Sequence, residues 1–191
     1  MSIKPDEKDV RIKRLKELKA AGIDPYPASF KLSHKLSEAI NLKVGKTGVS
    51  LGGRVVGKRS MGKITFLHLQ DGSGRMQVAV RVGEADAKSV SLLKKYIDLG
   101  DFIGVTGKIF KTKRGEITLD SKKVTLLSKA LRPLPEKFHG LKDQELRYRK
   151  RYLDLVSSEE TRELFRRRSL FIKNLRAAMD ESDFLEVETP I

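Results

Sequence analysis

Alternating apolar and polar positions run from about Val49 to Leu127, which is typical of β-strands with one buried face. Leu67 and Leu69 point one way in one such run, while Phe66 and His68 point the other way. In the next run, one side is formed by Met76, Val78, Val80 and Val82. The sequence therefore predicts a hairpin with a turn at residues 71–74. A phosphate-binding loop is the less favoured interpretation of these glycines, because no helix follows them.

Further strands surround this hairpin. An early strand over residues 49–58 contains Gly52, Gly53 and Gly57, as expected of a strand that bends to serve both sides of a small barrel. Two later strands carry Ile103, Val105 and Ile109, and then Ile117 and Leu119. Helical spacing predicts a helix over about 84–97. The predicted fold is mainly β with helices: a five-stranded OB-fold barrel with one helix after the third strand. A generic β-sandwich is the alternative, although it would not usually need that helix.

The flanks have a different pattern. Val10, Ile12, Leu15 and Leu18 predict an N-terminal helix, whose basic residues face either nucleic acid or solvent. Residues 132–135, Arg-Pro-Leu-Pro, indicate a boundary. A helical segment follows, with Tyr148, Tyr152 and Leu155 on one face, and then a helix over about 159–181 with an apolar stripe of Leu164, Phe171, Leu175 and Met179.

The last residues, 184–191, alternate like a strand that has no sheet to join, so we expect the chain to be cut there. The predicted division is residues 1–48 for the helix and lead-in, 49–130 for the barrel, 131–158 for a linker and helix, and 159–191 for the start of a further domain.

The net charge and composition of the chain indicate the kind of partner and the compartment to expect. Forty Lys and Arg against 25 Asp and Glu give a net charge of +15, which favours a polyanionic partner, although a generally basic solvated surface is the alternative. Cysteine is absent and no long apolar run occurs, so a cytoplasmic protein without membrane association is expected. The three histidines are scattered, so no metal site is predicted, and nothing resembles a nucleophile with an adjacent base.

A candidate binding face lies opposite the predicted core. Phe66 is an aromatic ring on that face, where it could stack on a nucleic-acid base, and Gln77 on the neighbouring strand could hydrogen-bond a base edge. Lys58, Arg59 and Lys63 flank them as candidate phosphate contacts. The alternative is that the N-terminal helix or a loop covers Phe66.

Several segments, in one order along nearly the whole chain, closely resemble bacterial-type class II lysyl-tRNA synthetases. The more specific matches run from Arg132-Pro133-Leu134-Pro135 to Tyr152-Leu153-Asp154-Leu155. Other matches are Gly22-Ile23-Asp24-Pro25-Tyr26-Pro27, Arg59-Ser60-Met61-Gly62-Lys63, Asp98-Leu99-Gly100-Asp101 and Phe184-Leu185-Glu186-Val187-Glu188-Thr189-Pro190. The barrel signals are shared with aspartyl and asparaginyl relatives.

The resemblance implies a barrel that reads the uridine-rich anticodon loop of tRNA(Lys). Phe66 would stack on the central uridine, while Arg59, Gln77 and Glu116 would hydrogen-bond anticodon bases. On this interpretation DNA is not an expected partner. The alternative is a free-standing OB-fold module that binds single-stranded nucleic acid without base preference.

The resemblance also places residues 159–191 at motif 1 of the class II α+β catalytic domain. This motif forms the homodimer interface, and Pro190 matches its proline. An assembly role for this segment is a further alternative. Motifs 2 and 3, which bind ATP, Mg²⁺ and lysine, have no match here. No catalytic residue and no cofactor are therefore expected on this part, whereas the full-length enzyme would use ATP and Mg²⁺.

Overall fold

The computed structural model describes residues 6–134, 141 and 143–190, and the chain divides into two units, Met1–Pro133 and Leu134–Ile191. The described elements of the first unit are, in chain order, α1 (Glu7–Ala20), α2 (Leu36–Ala39), β1 (Val49–Met61), β2 (Ile64–Gln70), β3 (Arg75–Arg81), α3 (Ala87–Lys95), β4 (Phe102–Lys111) and β5 (Ile117–Ser128). The second unit contains α4 (Gln144–Arg149), α5 (Arg151–Ser157) and α6 (Glu159–Glu181).

The five strands of the first unit close into a barrel in the order β1-β2-β3-β5-β4. All neighbouring pairs are antiparallel except β3 and β5, which run parallel. Helix α3 lies between the third and fourth strands in the chain. The OB-fold prediction is confirmed, and the β-sandwich alternative is wrong.

Barrel closure depends on the length and bending of β1. Its first half pairs with β4 and its second half with β2, with a register shift between Val55 and Gly57. A Cβ on Gly53 would lie 3.0 Å from the carbonyl oxygen of Gln70, so the glycine permits a close backbone approach. The predicted role of the glycine-rich early strand is therefore confirmed.

The barrel interior is the main hydrophobic core. Its fully buried side chains include Leu51, Val55, Leu67, Leu69, Val78, Ile103, Val105, Ile109 and Leu119. Leu92, Leu93 and Ile97, which lie in or just after α3, belong to the same cluster, as do Leu18 of α1 and Leu36 of α2. Val82, which we expected on the buried side of β3, is 41% exposed because that strand ends at Arg81.

The β2–β3 turn is organised by one carboxylate. Asp71 accepts hydrogen bonds from the Ser73 hydroxyl and from the backbone N–H groups of Leu36, Ser73 and Gly74. Burial opposes ionisation of Asp71, but these bonds hold its pKa below the usual range. The backbone N–H groups of Ser73 and Gly74 thus donate to Asp71 within the turn, and the predicted turn is confirmed.

Helix α1 is fixed to the barrel by contacts of two arginines, of which Arg11 is buried. Arg11 is 3% exposed and donates to the backbone carbonyls of Leu99, Ala130 and Arg132. Arg14 pairs with Asp98. These two basic side chains of α1 therefore make contacts within the first unit.

In the second unit, the helical segment that we expected around Tyr148 and Tyr152 is two short helices. Lys150 separates them with non-helical angles, φ −119° and ψ 51°. The buried carboxylate of Asp154 accepts from Arg147 Nε at 3.2 Å and also binds Arg151. The expected strand at residues 184–191 is wrong for the described residues 184–190, which form no regular structure. No strand is described in this unit for them to pair with.

Candidate nucleic-acid interface

An open groove of about 500 Å³ lies on the outer side of the barrel. We call it the barrel groove. It is lined by Arg59, Met61, Ile64, Phe66, His68, Gln77, Arg81, Phe110, Thr112, Lys113, Arg114 and Glu116. The predicted base-reading residues of the barrel all lie here: Arg59 on β1, Phe66 on β2, Gln77 on β3, and Glu116 just before β5.

Strand register explains why these side chains meet. Phe66 faces Arg59 on one neighbouring strand and Ala79 on the other. In the next row, His68 faces Gln77, which faces Thr118 across the parallel β3–β5 pair. Since the alternate positions of each strand fill the barrel interior, these rows lie on its outer face. Phe66 is half-buried, and its ring forms part of the groove wall.

The polar centre of the groove is a chain of hydrogen bonds. Gln77 Nε2 donates to Glu116 Oε2 at 2.8 Å, and the Thr118 hydroxyl donates to Gln77 Oε1 at 3.0 Å. Glu116 is exposed, whereas Thr118 is fully buried beneath it. The exposed carboxylate is an acceptor that a base N–H can use, since a carboxylate accepts at both oxygens.

Positive charge surrounds that carboxylate. Arg59, Lys113 and Arg114 are exposed at the groove. Arg81 also lines it, but its guanidinium lies 4.7 Å from the centre of the Phe110 ring and contacts Asp120 at 2.9 Å. The exposed cations are thus the groove side chains available to phosphate oxygens.

Three of the sequence-based assignments lie outside the groove lining: Lys58, Pro190, and Lys63, which is exposed in the turn between β1 and β2. Lys58 is not a phosphate contact: its Nζ donates to the carbonyls of Leu93 and Ile97 at 2.7 Å, beneath the C-terminal end of α3, and burial lowers its pKa. Pro190 lies in the second unit, exposed and outside any helix or strand, so its dimer-interface role stays a prediction.

The sequence reasoning missed Phe110, Arg81, Thr118 and the loop residues Lys113 and Arg114. Alternation alone could have placed Phe110 and Thr118 on the outer face, because their neighbours Ile109 and Leu119 are fully buried. The parallel pairing of β3 with β5 had no local signal, so the meeting of Gln77 with Thr118 could not be predicted.

In the described part of the chain, the His, Asp and Glu residues form no group of three or more that could hold a metal ion. Likewise, none of its helices combines the length and apolar character needed to cross a membrane.

Comparison with known proteins agrees with the geometry. Residues 49–127 match the family described as OB-fold nucleic acid binding domain, and residues 143–191 match tRNA synthetases class II (D, K and N). A lysine–tRNA ligase from Dehalococcoides mccartyi (strain CBDB1) is 47% identical over 189 residues, which is 95% of this chain and 38% of the relative. One from Lactococcus lactis subsp. lactis (strain IL1403) is 46% identical over 195 residues, covering 97% of this chain and 39% of the relative. The chain thus spans less than half the length of these relatives.

Proposed function

The chain belongs to the lysyl-tRNA synthetase family of class II synthetases, and on that premise we propose that its barrel groove binds the anticodon loop of tRNA(Lys). The observation that carries the proposal is the placement of Phe66, Gln77 and Glu116 in one open groove with cations around it. This arrangement combines a stacking ring, base-edge hydrogen bonding and phosphate attraction, which single-stranded RNA recognition uses together.

Each side chain has a distinct role in this proposal. The Phe66 ring stacks on the central anticodon base, and Glu116 accepts a hydrogen bond from a base N–H. Gln77 supplies an amide N–H beside that carboxylate, and Arg59 bonds a base or phosphate from the neighbouring strand. The 2.8 Å hydrogen bond from Gln77 Nε2 to Glu116 Oε2 holds these two side chains together, which lowers the cost of ordering them on binding.

Replacing Phe66 by alanine is expected to weaken binding of a uridine-loop RNA hairpin by about 1–3 kcal/mol, the value of one base–aromatic stack. The measurement is a fluorescence titration of the chain with a labelled hairpin at fixed salt concentration. Phe102→Ala is the matched control, since Phe102 is 36% exposed on β4 and does not line the groove. Equal affinity for the Phe66 variant and the unmodified protein would exclude stacking at this position.

The same titration separates base reading from non-specific binding. Hairpins with uridines or adenines in the loop should differ in affinity if Gln77 and Glu116 read a base edge. Equal affinities would instead support an OB-fold module that tracks the backbone alone, because stacking and charge are tolerant of sequence.

Removing one of the exposed cations of the barrel groove should lower the salt dependence of RNA binding. For Arg114→Ala, the slope of log K against log salt concentration should fall by about 0.7 in magnitude, the value for one lost phosphate contact on a single strand. Uridine-over-adenine preference should be unchanged, because phosphate contacts carry no base information. Lys95→Ala is the control, since Lys95 is exposed on α3 and lies outside the groove. An unchanged slope for Arg114→Ala would remove this residue from the phosphate contacts.

The activity of a complete enzyme is part of the proposal. Such a protein would activate lysine with ATP and Mg²⁺ and attach it to tRNA(Lys), acting in the cytoplasm where its tRNA is used. The chain spans 38% of the length of the Dehalococcoides mccartyi relative, and residues 143–191 are the part of the chain that matches the class II family. We therefore assign no chemical step to them. The exposed apolar side chains of α6, Phe171 and Leu175 among them, and Pro190 would contribute to a homodimer interface.

A further inference from the structure

The side-chain amide of Gln77 is held at both of its ends. Its Nε2 donates to Glu116 Oε2 at 2.8 Å, and its Oε1 accepts from the Thr118 hydroxyl at 3.0 Å. Thr118 faces Gln77 across the parallel β3–β5 pair, and Glu116 lies two residues earlier, just before β5 begins. The Glu116 carboxylate, which can only accept, determines which end of the amide is nitrogen, and the Thr118 hydroxyl holds the oxygen end in place.

The direction of the Thr118 hydrogen bond follows from its surroundings. The hydroxyl lies 3.0 Å from Gln77 Oε1 and 3.3 Å from the backbone carbonyl oxygen of Glu116. With Oε1 on that side, both neighbours are acceptors, so the hydroxyl hydrogen can only be donated. A flipped amide would place Oε1 against the Glu116 carboxylate, and two acceptors would repel each other there. The unflipped orientation is therefore strongly favoured.

This orientation determines what the groove offers to a base. Gln77 retains its second Nε2 hydrogen, which has no partner among the described residues, and it lies next to the acceptor atoms of Glu116. Donor beside acceptor matches the carbonyl oxygen and N3–H of uracil. A flipped or mobile amide would instead present two neighbouring acceptors, which suits adjacent donors such as the N1–H and N2–H groups of guanine and disfavours the carbonyl of uracil.

We propose that Thr118 is a positioning residue for RNA reading: its buried hydroxyl anchors the oxygen end of the Gln77 amide in the orientation that Glu116 sets, so that the groove favours uracil over guanine. Thr118 does not contact the RNA in this proposal, since it is 0% exposed and acts through Gln77. The inference rests on the proposed function of the barrel groove.

The test uses Thr118→Val, which keeps the shape and removes the hydroxyl, with Thr118→Ser as the conservative variant. Titrations with uridine-loop and guanosine-loop hairpins should show uridine-loop affinity lowered about fivefold to tenfold in Thr118→Val, with a smaller uridine-over-guanosine ratio. Thr118→Ser should restore both values. If valine at this buried position unfolds the barrel, as seen by circular dichroism, Thr118→Ala removes the hydroxyl without adding a branch and gives the same comparison.

A Gln77→Ala background separates positioning from general structural support. If Thr118 acts through Gln77, the Thr118→Val change should have almost no further effect on uridine-loop affinity once Gln77 is removed. An equal loss in both backgrounds, or an unchanged uridine-over-guanosine ratio in Thr118→Val, would overturn the inference while leaving the RNA-binding proposal intact. A different outcome would overturn the proposed function itself. It would be an unmodified protein with no uridine preference, together with a Phe66→Ala variant whose affinity equals that of the unmodified protein. This inference would then fail as well.

Discussion

Replacing Lys129 by methionine is expected to destabilise the first unit by about 3–5 kcal/mol, the cost of breaking a buried ion pair on one side. The side chains of Lys129 and Asp101 are each 0% exposed, and Lys129 Nζ lies 2.7 Å from Asp101 Oδ2. The lysine Nζ also binds Asp98 at 2.6 Å and the carbonyl oxygen of Tyr96 at 2.6 Å. Without this ammonium group, the Asp101 carboxylate is left inside the protein with no cation beside it.

The effect is large because the cluster joins distant parts of the chain. Asp98 also pairs with Arg14 of α1, and Asp101 accepts from the backbone N–H groups of Asp98 and Ala130. Lys129 follows directly after β5, so one side chain connects the end of the barrel, the α3–β4 loop and, through Asp98, the N-terminal helix. Partners in such a network stabilise one another, and their contributions are not additive.

The loss should depend on pH. Burial raises the pKa of Asp101, so in the folded state this carboxyl holds its proton more readily than in the unfolded chain. Losing Lys129 raises this pKa further, and the penalty grows as pH rises above the unfolded value of about 3.9. Burial also opposes ionisation of Asp98, but Lys129 and Arg14 hold its pKa below the usual range, so its contribution is present above the unfolded value and is lost as pH falls. Both effects make the variant's deficit larger at pH 7 than near pH 4.

Urea unfolding followed by circular dichroism measures the deficit, since the sequence contains no tryptophan for fluorescence. Lys95→Met is the matched control, because Lys95 is exposed on α3, and its unfolding free energy should change by less than about 0.5 kcal/mol. A Lys129 variant as stable as this control at pH 7 would show that the buried cluster contributes little net stability.

The barrel itself could be predicted from the sequence because its strands alternate strongly. Phe66 and Gln77 were placed on the outer face by parity with Leu67 and Val78, and the structure has those two apolar side chains fully buried. Glycine spacing in β1 predicted its bend. These features are local, so a single sequence contains them.

Other features depend on contacts between distant residues and could not be predicted. Parity places Lys58 on the face opposite its neighbour Arg59, but only the folded structure shows that its Nζ donates to the carbonyl of Leu93, 35 residues away along the chain. Arg11 has the same local appearance as the solvent-facing lysines of α1, but it is buried against Leu99 and Ala130. Glu116 entered the candidate site through family resemblance, and only the β3–β5 pairing brings it against Gln77.

The prediction of a strand at residues 184–190 was wrong for a different reason. Alternation describes which side chains would share a face, but a strand also needs a partner for its backbone groups. Pattern alone therefore overstated the structure there, whereas in the barrel every strand has two neighbours.

Gly107 is the position where adding one methyl group should have the other large effect. It lies in β4 at a register shift between β4 and β5, and it also pairs with Val49 at the start of β1. A Cβ built there would lie 2.0 Å from the carbonyl oxygen of Asp120 and 2.8 Å from its carbonyl carbon. These are backbone atoms that cannot rotate away as a side chain can, so β4 and β5 would have to separate where the barrel closes.

We therefore expect Gly107→Ala to cost about 3 kcal/mol or more in unfolding free energy, at the upper end of overpacking effects. RNA binding should fall with it, because β4 and β5 contribute Phe110 and Thr118 to the groove region. Gly74→Ala is the matched control: a Cβ on Gly74 meets nothing within 4 Å, and its backbone does not need glycine's positive φ. Urea midpoints by circular dichroism should place Gly74→Ala with the unmodified protein and Gly107→Ala well below both. Equal midpoints for the two alanine variants would mean that the strands yield at Gly107 without loss of barrel closure.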